Sequence, residues 1–404
     1  MIFVGIDWSE THHDVCVMDV EGQVLTKGRV PDSVEGVARL HELMATHAED
    51  PSDVAVGIEL DRGLLVGALV ASGYAVHAIN PLSVDRYRDR HRTSGAKSDP
   101  GDAKVLADLV RTDRHLHREV AGDSVLAEAV KVLARAHQSL IWSRQRQLNQ
   151  LRNALREFYP AALEAFGTEL ASADALAVLG AAPTPAEGRS FNTARLGAAL
   201  KRGGRRRRIT ERAEEIKAAL RSSQLEAPQV LARAYGEVVR STVQIVREMT
   251  AQIETLEAEL EASFEGHPDA EILRSLPGLG SVLGARVLAE FGDDPTRYAD
   301  PKARKNYAGT SPITKASGRS KVALARFARN RRLADALEMW AFCSLSTSPG
   351  ARRYYDAHRA KGHTHRRALR SLANRWVGIL HGCLRRRAPY SEAIAWGGPQ
   401  RAAA

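Results

Sequence analysis

Cysteine is scarce in this chain: Cys16, Cys343 and Cys383 stand far apart in 404 positions. That spacing excludes a disulfide framework and a paired-thiolate metal site, and it makes a reducing cytoplasm the expected compartment. No apolar run is long enough to cross a bilayer. Met1-Ile2-Phe3-Val4-Gly5 opens with no basic stretch leading into an apolar one, so neither a membrane span nor a signal peptide is expected. Acids are the minority charge, 48 Asp and Glu against 58 Lys and Arg, for a net charge of +10. A surplus of this sign favours a polyanionic partner, because each neutralised phosphate releases condensed counterions. The surplus is uneven. Acids and bases mix up to about residue 110, and Arg clusters recur beyond it.

Hydrophobic residues make up 44% of the chain, enough for ordinary cores, and the length implies two or three domains. Ile2 to Ile6 reads as a strand ending in Asp7. Val15 to Met18 and Val24 to Val30 follow as strands around a hairpin turn at Asp19-Val20-Glu21-Gly22. Ser33 opens a helical pattern through Val37, Leu40, Leu43 and Met44. Val54 to Ile58 is a strand ending in Glu59, Leu64 to Ala71 a helix, and Ala75 to Ile79 a strand closed by Asn80-Pro81. A meander followed by alternating strands and helices implies a mixed α/β sheet with helices on its faces.

Residues 121–265 read as long helices around an Ala-, Gly- and Pro-rich insertion. One basic helix spans Ser124 to Phe158 and stops at Pro160; a second runs from Thr210 to Ser263. The second carries Val239, Val246, Ile253 and Leu260 every seven residues, with Met249 and Leu256 three positions behind. Such a coiled-coil seam serves an antiparallel hairpin or a contact between protomers equally well. Residues 266–404 read as mostly helical. The expected organisation is therefore α/β over 1–120, long helices over 121–265, and an all-α region over 266–404.

Four acids carry the strongest chemical signal. Asp7 and Glu59 terminate strands that can neighbour one another, and Asp99 and Asp102 are three apart at the start of a helix, on one face. Converging carboxylates can hold a pair of hard cations against a phosphate. No histidine lies near them at ligand spacing, which favours Mg²⁺ or Mn²⁺ over Zn²⁺. Simpler roles exist for each acid alone. Asp99 before Pro100 suits an N-cap, Asp102 suits the helix dipole at the third position, and Glu59, beside Asp61, suits a strand-end surface.

A second signal is Ser317, flanked by Lys315, Arg319 and Lys321. No His/Asp partner is nearby, so a hydrolase triad is not indicated. A serine among cations can attack a phosphodiester, although a phosphate-contacting Ser/Gly turn explains the same residues and Ser311 and Ser320 are rivals. Leu276-Pro277-Gly278-Leu279-Gly280 has the form of a helix-hairpin-helix turn, in which Gly278 and Gly280 let backbone N–H groups approach phosphate; an ordinary tight turn fits as well. The run Arg205-Arg206-Arg207-Arg208 reads as a nucleic-acid contact or a solvated patch.

Taken together, these motifs resemble the DEDD transposases of bacterial insertion sequences, the bridge-RNA-guided recombinases. The likeness rests on Val4-Gly5-Ile6-Asp7, Asn80-Pro81, Lys97-Ser98-Asp99-Pro100-Gly101-Asp102-Ala103, Leu276-Pro277-Gly278-Leu279-Gly280, Tyr307-Ala308-Gly309 and Ser317-Gly318, in that order over nearly the whole chain. The resemblance implies a RuvC-like (ribonuclease H-type) N-terminal domain in which Asp7, Glu59, Asp99 and Asp102 bind Mg²⁺. It implies Ser317 as a nucleophile that forms a transient phosphoserine link to DNA. Its implied partners are donor and target DNA, a guide RNA from the element, and further copies of the chain as a dimer or tetramer, with the acidic site of one protomer meeting the serine of another. One departure is Leu60-Asp61-Arg62-Gly63 after Glu59, where small residues and an aromatic are usual.

Three rivals remain at this point: a Holliday-junction-type nuclease using metal-activated water, an actin-like sugar kinase, and a non-catalytic nucleic-acid scaffold. The kinases share a Val-Gly-Ile-Asp opening but need later Gly-rich phosphate loops, which are lacking here.

Overall fold

Near-continuous apolar runs at Ile2 to Ile6, Val15 to Met18 and Val54 to Ile58 produce strands buried on both faces. The computed structural model describes residues 1–91, 98–120, 122–317, 320–326 and 329–397, in two units, Met1–Asp123 and Ser124–Ala404. In the first unit β1 (Ile2–Trp8), β2 (His12–Met18) and β3 (Val24–Pro31) form an antiparallel meander. Helix α1 (Val34–Ala45), capped by Ser33, leads to β4 (Val54–Ile58), which pairs parallel with β1. Then come α2 (Leu64–Ala71), β5 (Ala75–Ala78), α3 (Pro81–His91), α4 (Asp99–Asp113) and β6 (Arg118–Glu119). The sheet order is β3-β2-β1-β4-β5-β6, with β4–β5 parallel and β5–β6 antiparallel, so the sheet is mixed as expected.

Period-two alternation sorts the strands between two cores. Ile2, Val4, Ile6, Val15 and Val17 pack with Leu40 and Met44 of α1 and with Leu65 and Leu69 of α2. Phe3, Cys16, Met18 and Ala55 pack on the other face with Ala103, Leu106 and Val110 of α4. Two glycines let α4 lie directly on that face. A Cβ on Gly5 would sit 1.9 Å from the Ala103 carbonyl oxygen, and one on Gly57 would sit 2.5 Å from Val110 Cγ2. The close approach fixes where the first turn of α4 meets β1.

The second unit is helical apart from one hairpin. Helix α5 (Val125–Phe158) starts at the Ser124 cap and gives way at Tyr159-Pro160 to α6 (Pro160–Phe166). Short helices α7 (Ala173–Ala181), α8 (Pro185–Ser190), α9 (Thr193–Arg202) and α10 (Ile209–Leu220) follow, then α11 (Gln229–Glu265). The single helix expected from Thr210 to Ser263 is thus two. The break precedes Pro228, which lacks an N–H and restricts the residue before it. Leu148, Leu151 and Leu155 of α5 pack with Val239 and Val246 of α11, while Val130 and Ala134 share a core with Leu260 and Phe264. The two long helices therefore run antiparallel, and these seam positions are satisfied within the chain. Each fully buried Leu or Val there contributes about 1.5–3 kcal/mol.

The remainder is α12 (Ala270–Ser275), α13 (Ser281–Phe291), α14 (Pro301–Tyr307), the hairpin β7 (Ile313–Ser317) and β8 (Ser320–Leu324), α15 (Arg331–Ser344), α16 (Pro349–Ala360), α17 (His365–Arg386) and α18 (Glu392–Trp396). Trp340 and Trp376 stack at its centre, and the Trp376 indole donates to Ser344 Oγ at 2.8 Å. Among the described residues no helix is long and apolar enough to cross a membrane.

Candidate active site

Asp7 lies within β1 rather than after it, because the strand continues to Trp8. It follows the alternation of Phe3 and Gly5 and belongs to the face that α4 covers. Glu59 follows β4, whose Ile58 pairs with Ile6 of β1, so both acids mark one end of two adjacent strands. Asp99 and Asp102 stand in the first turn of α4. The N-cap is Ser98, not Asp99, and Asp102 is buried. Burial and, in falling order, the charges of Asp102, Asp99, Glu59 and Asp14 push the Asp7 carboxyl up to about 6. Four dispersed acids thus act electrostatically on one point.

Asp14 is a fifth acid. It pairs with Asp7 across the β1–β2 hairpin and is buried. Sequence reading missed it by starting β2 at Val15; a hairpin centred on Ser9-Glu10-Thr11 sets Asp7 against Asp14. The same extension brings in His12. Donor atoms of His12, Asp14 and Asp99 all lie within 4.8 Å of one another. The expectation of no nearby histidine is therefore corrected, since sheet pairing supplies one that spacing along the chain conceals.

Two arginines partly balance the acids. Arg29, opposite Asp14 on β3, donates to both its carboxylate oxygens at 2.7 and 3.2 Å and lies 3.9 Å from Asp99. Arg88 of α3 donates to Asp102 at 2.7 Å. Asp7 has neither arginine as a partner and carries the surplus repulsion. Oxygen donors in this number, with one carboxyl held above its ordinary range by its neighbours, suit a hard divalent cation.

Ser317 is exposed and is the last residue of β7, paired with Ser320 at the tip of the hairpin. Lys315 and Lys321 occupy register positions opposite Val322 and Ala316. Arg319 and Gly318 lie outside the described residues, as does Lys97. Gly278 has φ +82°, and a Cβ there would meet the Ser344 backbone N at 2.6 Å, so close helix packing accounts for it. Gly280 is exposed as the N-cap of α13 with open space around it. Arg205 donates to the buried Asp174 at 2.8 Å and serves as a brace. Arg206, Arg207 and Arg208 are exposed.

The comparisons with known proteins decide the family. Residues 4–160 match the DEDD family model described as "Transposase", and residues 270–356 match the "Transposase IS116/IS110/IS902 family" model. A protein of Streptomyces coelicolor assigned as the mini-circle transposase for IS117 is 45% identical over 100% of this chain and 98% of its own. The chain belongs to the IS116/IS110/IS902 transposase family. An uncharacterised 42 kDa protein of insertion element IS900 from Mycobacterium paratuberculosis is 31% identical over 97% of this chain and 98% of that one. An uncharacterised 43.6 kDa protein of IS110 from Streptomyces coelicolor is 28% identical over 95% and 94%. Within this transposase, the first matched region contains Asp7 to Asp102 and the second contains Gly278 to Ser317.

Proposed function

We propose that this transposase cleaves and rejoins DNA through an acidic metal site and a serine nucleophile. The observation that supports this most is the repulsion focused on Asp7 by Asp102, Asp99, Glu59 and Asp14. Asp7, Glu59, Asp99 and Asp102 would hold Mg²⁺ or Mn²⁺, with Asp14 and His12 beside them. A bound ion of that kind neutralises phosphate oxygens and makes phosphorus more electrophilic. The acids position the scissile phosphate, and the Ser317 hydroxyl, from this chain or another copy, attacks it. The new Oγ–P bond replaces a phosphorus–deoxyribose oxygen bond. The serine proton goes to water, and the departing sugar oxygen takes one up. The ester conserves the bond energy, so the reverse attack by another sugar hydroxyl rejoins strands without a nucleotide cofactor.

In this reading the first unit is RuvC-like over 1–120, the helices of 121–265 form a nucleic-acid-binding arm, and 266–404 presents the serine. Lys315, Arg319, Lys321, the Gly278–Gly280 turn and the exposed arginines from Arg206 to Arg208 are the proposed contacts to the nucleic-acid backbone, with Arg205 bracing that last run. An element-encoded guide RNA supplies target choice, the working form is a homo-oligomer, and the bacterial cytoplasm is the compartment.

Purified protein incubated with Mg²⁺ and a paired donor and target, then run on a denaturing gel, tests the chemistry. A protein–DNA adduct lost in Ser317→Ala is expected, and recombination by Ser317→Ala would overturn the assignment. Cleavage with no adduct would mark attack by water instead.

A further inference from the structure

A cavity of about 660 Å³ lies at the base of the serine hairpin, and among the described residues no acidic side chain lines it. Its walls are the chain entering β7 at Ser311-Pro312, the chain leaving β8 at Leu324 to Arg326, helix α16, and the first turns of α17. Arg326, Arg366, Arg367 and Arg370 all contribute. Among the described residues none of the four has a carboxylate partner, and Arg326 Nε is buried with no hydrogen-bond partner at all. Elsewhere in the same unit arginines are matched, as in Arg135–Glu290, Arg352–Asp356 and Arg387–Asp269. His358 Nδ1 lies 2.8 Å from His363 Nδ1 at the same wall, and burial and the cations around them pull both below the ordinary histidine range. A wall of arginines without carboxylates, one with a buried unbonded N–H, is suited to an anion.

The geometry points to a DNA phosphate as that anion: the cavity seats a phosphodiester of the same strand that Ser317 attacks, a few residues away from the cleaved one. This rests on the reading of Ser317 as the DNA-facing residue. Ile313 to Ser317 spans four steps of about 3.3 Å, roughly 13 Å. Phosphates on one strand of a duplex wind around the axis as they advance about 3.4 Å each along it, so neighbours lie farther apart than that rise and a phosphate about two steps on reaches the cavity. A mononucleotide is too short to serve both places.

The test uses the full chain, EDTA to silence the acidic site, and a fluorescein-labelled 30-base-pair DNA duplex of arbitrary sequence. Anisotropy titrations across KCl concentrations give the slope of log K against log salt. Each lost phosphate contact lowers its magnitude by about 0.9. Arg367→Gln/Arg370→Gln should lose between about 1 and 2 from the slope. Arg367→Lys/Arg370→Lys should keep it, since the slope counts charges, and Arg39→Gln on α1 should leave it unchanged. Should the double variant fail to fold by circular dichroism, Arg326→Gln against Arg326→Lys gives the same comparison. An unchanged slope in the Gln variants overturns the cavity assignment alone. A loss seen with RNA of the same sequence and not with DNA also overturns it. A wild type that binds no duplex overturns the underlying reading and this proposal with it.

Discussion

Asp7 and Glu290 are both acids on packed elements, one in each unit, and their surroundings drive them in opposite directions. Glu290 is the more deeply buried, at 4% exposure. Burial raises its carboxyl, yet hydrogen bonds from Arg135 and Asn330 and the charges of Arg135 and Arg332 overcome that and hold it below the usual glutamate range. Arg135 grips both oxygens at 2.8 and 2.9 Å, and Asn330 donates at 2.6 Å. Asp7 is only half-buried and is pushed up to about 6, by burial first and then by four further carboxylates. Burial alone therefore does not set the direction of a carboxyl's shift. Glu290 finds its counter-charge inside the chain, whereas the leading charges on Asp7 are all of its own sign.

The sharpest way to break this contrast is to remove the Asp7 charge. Asp7→Asn should abolish metal-dependent DNA cleavage, with a loss beyond the roughly hundredfold typical of outer-shell partners. Its melting temperature in EDTA should stay level or rise, since repulsion is relieved. A variant that melts well below wild type while cleaving normally would make Asp7 the structural acid. Glu290→Ala should do the reverse. It removes the acceptor that Arg135 and Asn330 share and should cost roughly 1–3 kcal/mol in denaturant unfolding. A cost below about 1 kcal/mol would place the pair among surface bridges. Combining it with Arg135→Ala should recover part of the loss, because the two residues act as a unit.

The position of Asp7 depends on Gly5, and that dependence can be sharpened separately. Gly5→Ala sets a methyl 1.9 Å from the Ala103 carbonyl oxygen, so α4 must lift. The expected cost is about 1–3 kcal/mol, as for other overpacked cores. Cleavage should fall as well, although every acid remains in the chain. Terbium luminescence would report the weakened ion site directly, and unchanged luminescence would show that α4 does not set the site.

Short apolar runs and Gly/Pro punctuation were enough to read β1, β4 and α2, and hence the strand ends that carry Asp7 and Glu59. Ser33, Ser124 and Pro160 marked helix ends for the same local reason, since caps and prolines act within one turn. What escaped was non-local. Asp14 and His12 join the site only through the antiparallel register of β2 on β1. Arg29 arrives one strand further on. The two-residue β6 has no periodicity to detect and exists because β5 offers an edge. The seam of α11 was legible, but its partner was not, because an apolar heptad looks the same whether α5 or another chain covers it. The acid-free cavity was hidden likewise. Arg-rich stretches appear throughout the latter two-thirds, and only the fold shows which of them lack carboxylates.

The smallest effect concerns pH and separates Asp7 from Glu290 by window. An unfolded aspartate titrates near 3.8 and Asp7 in the fold near about 6. Between those values the folded chain holds a proton that the unfolded chain has lost, so this contribution to stability falls as pH rises. Glu290 has the opposite sign: its contribution is present above the unfolded value of 4.5 and is lost as pH falls through its lower folded value. From pH 5 to pH 7.5 in EDTA, Asp7 should therefore lower the melting temperature while Glu290 contributes no change. His77 and His137, pulled down by burial, act oppositely over the same range. The difference between wild type and Asp7→Asn isolates the carboxyl, and it should grow by about 1–3 °C across the range. Excess Mg²⁺ should erase that difference or reverse it, because an ion bound to the folded state alone stabilises wild type preferentially. Parallel pH profiles for the two proteins, with and without Mg²⁺, would show that Asp7 feels no surplus repulsion and would remove the basis of the contrast with Glu290.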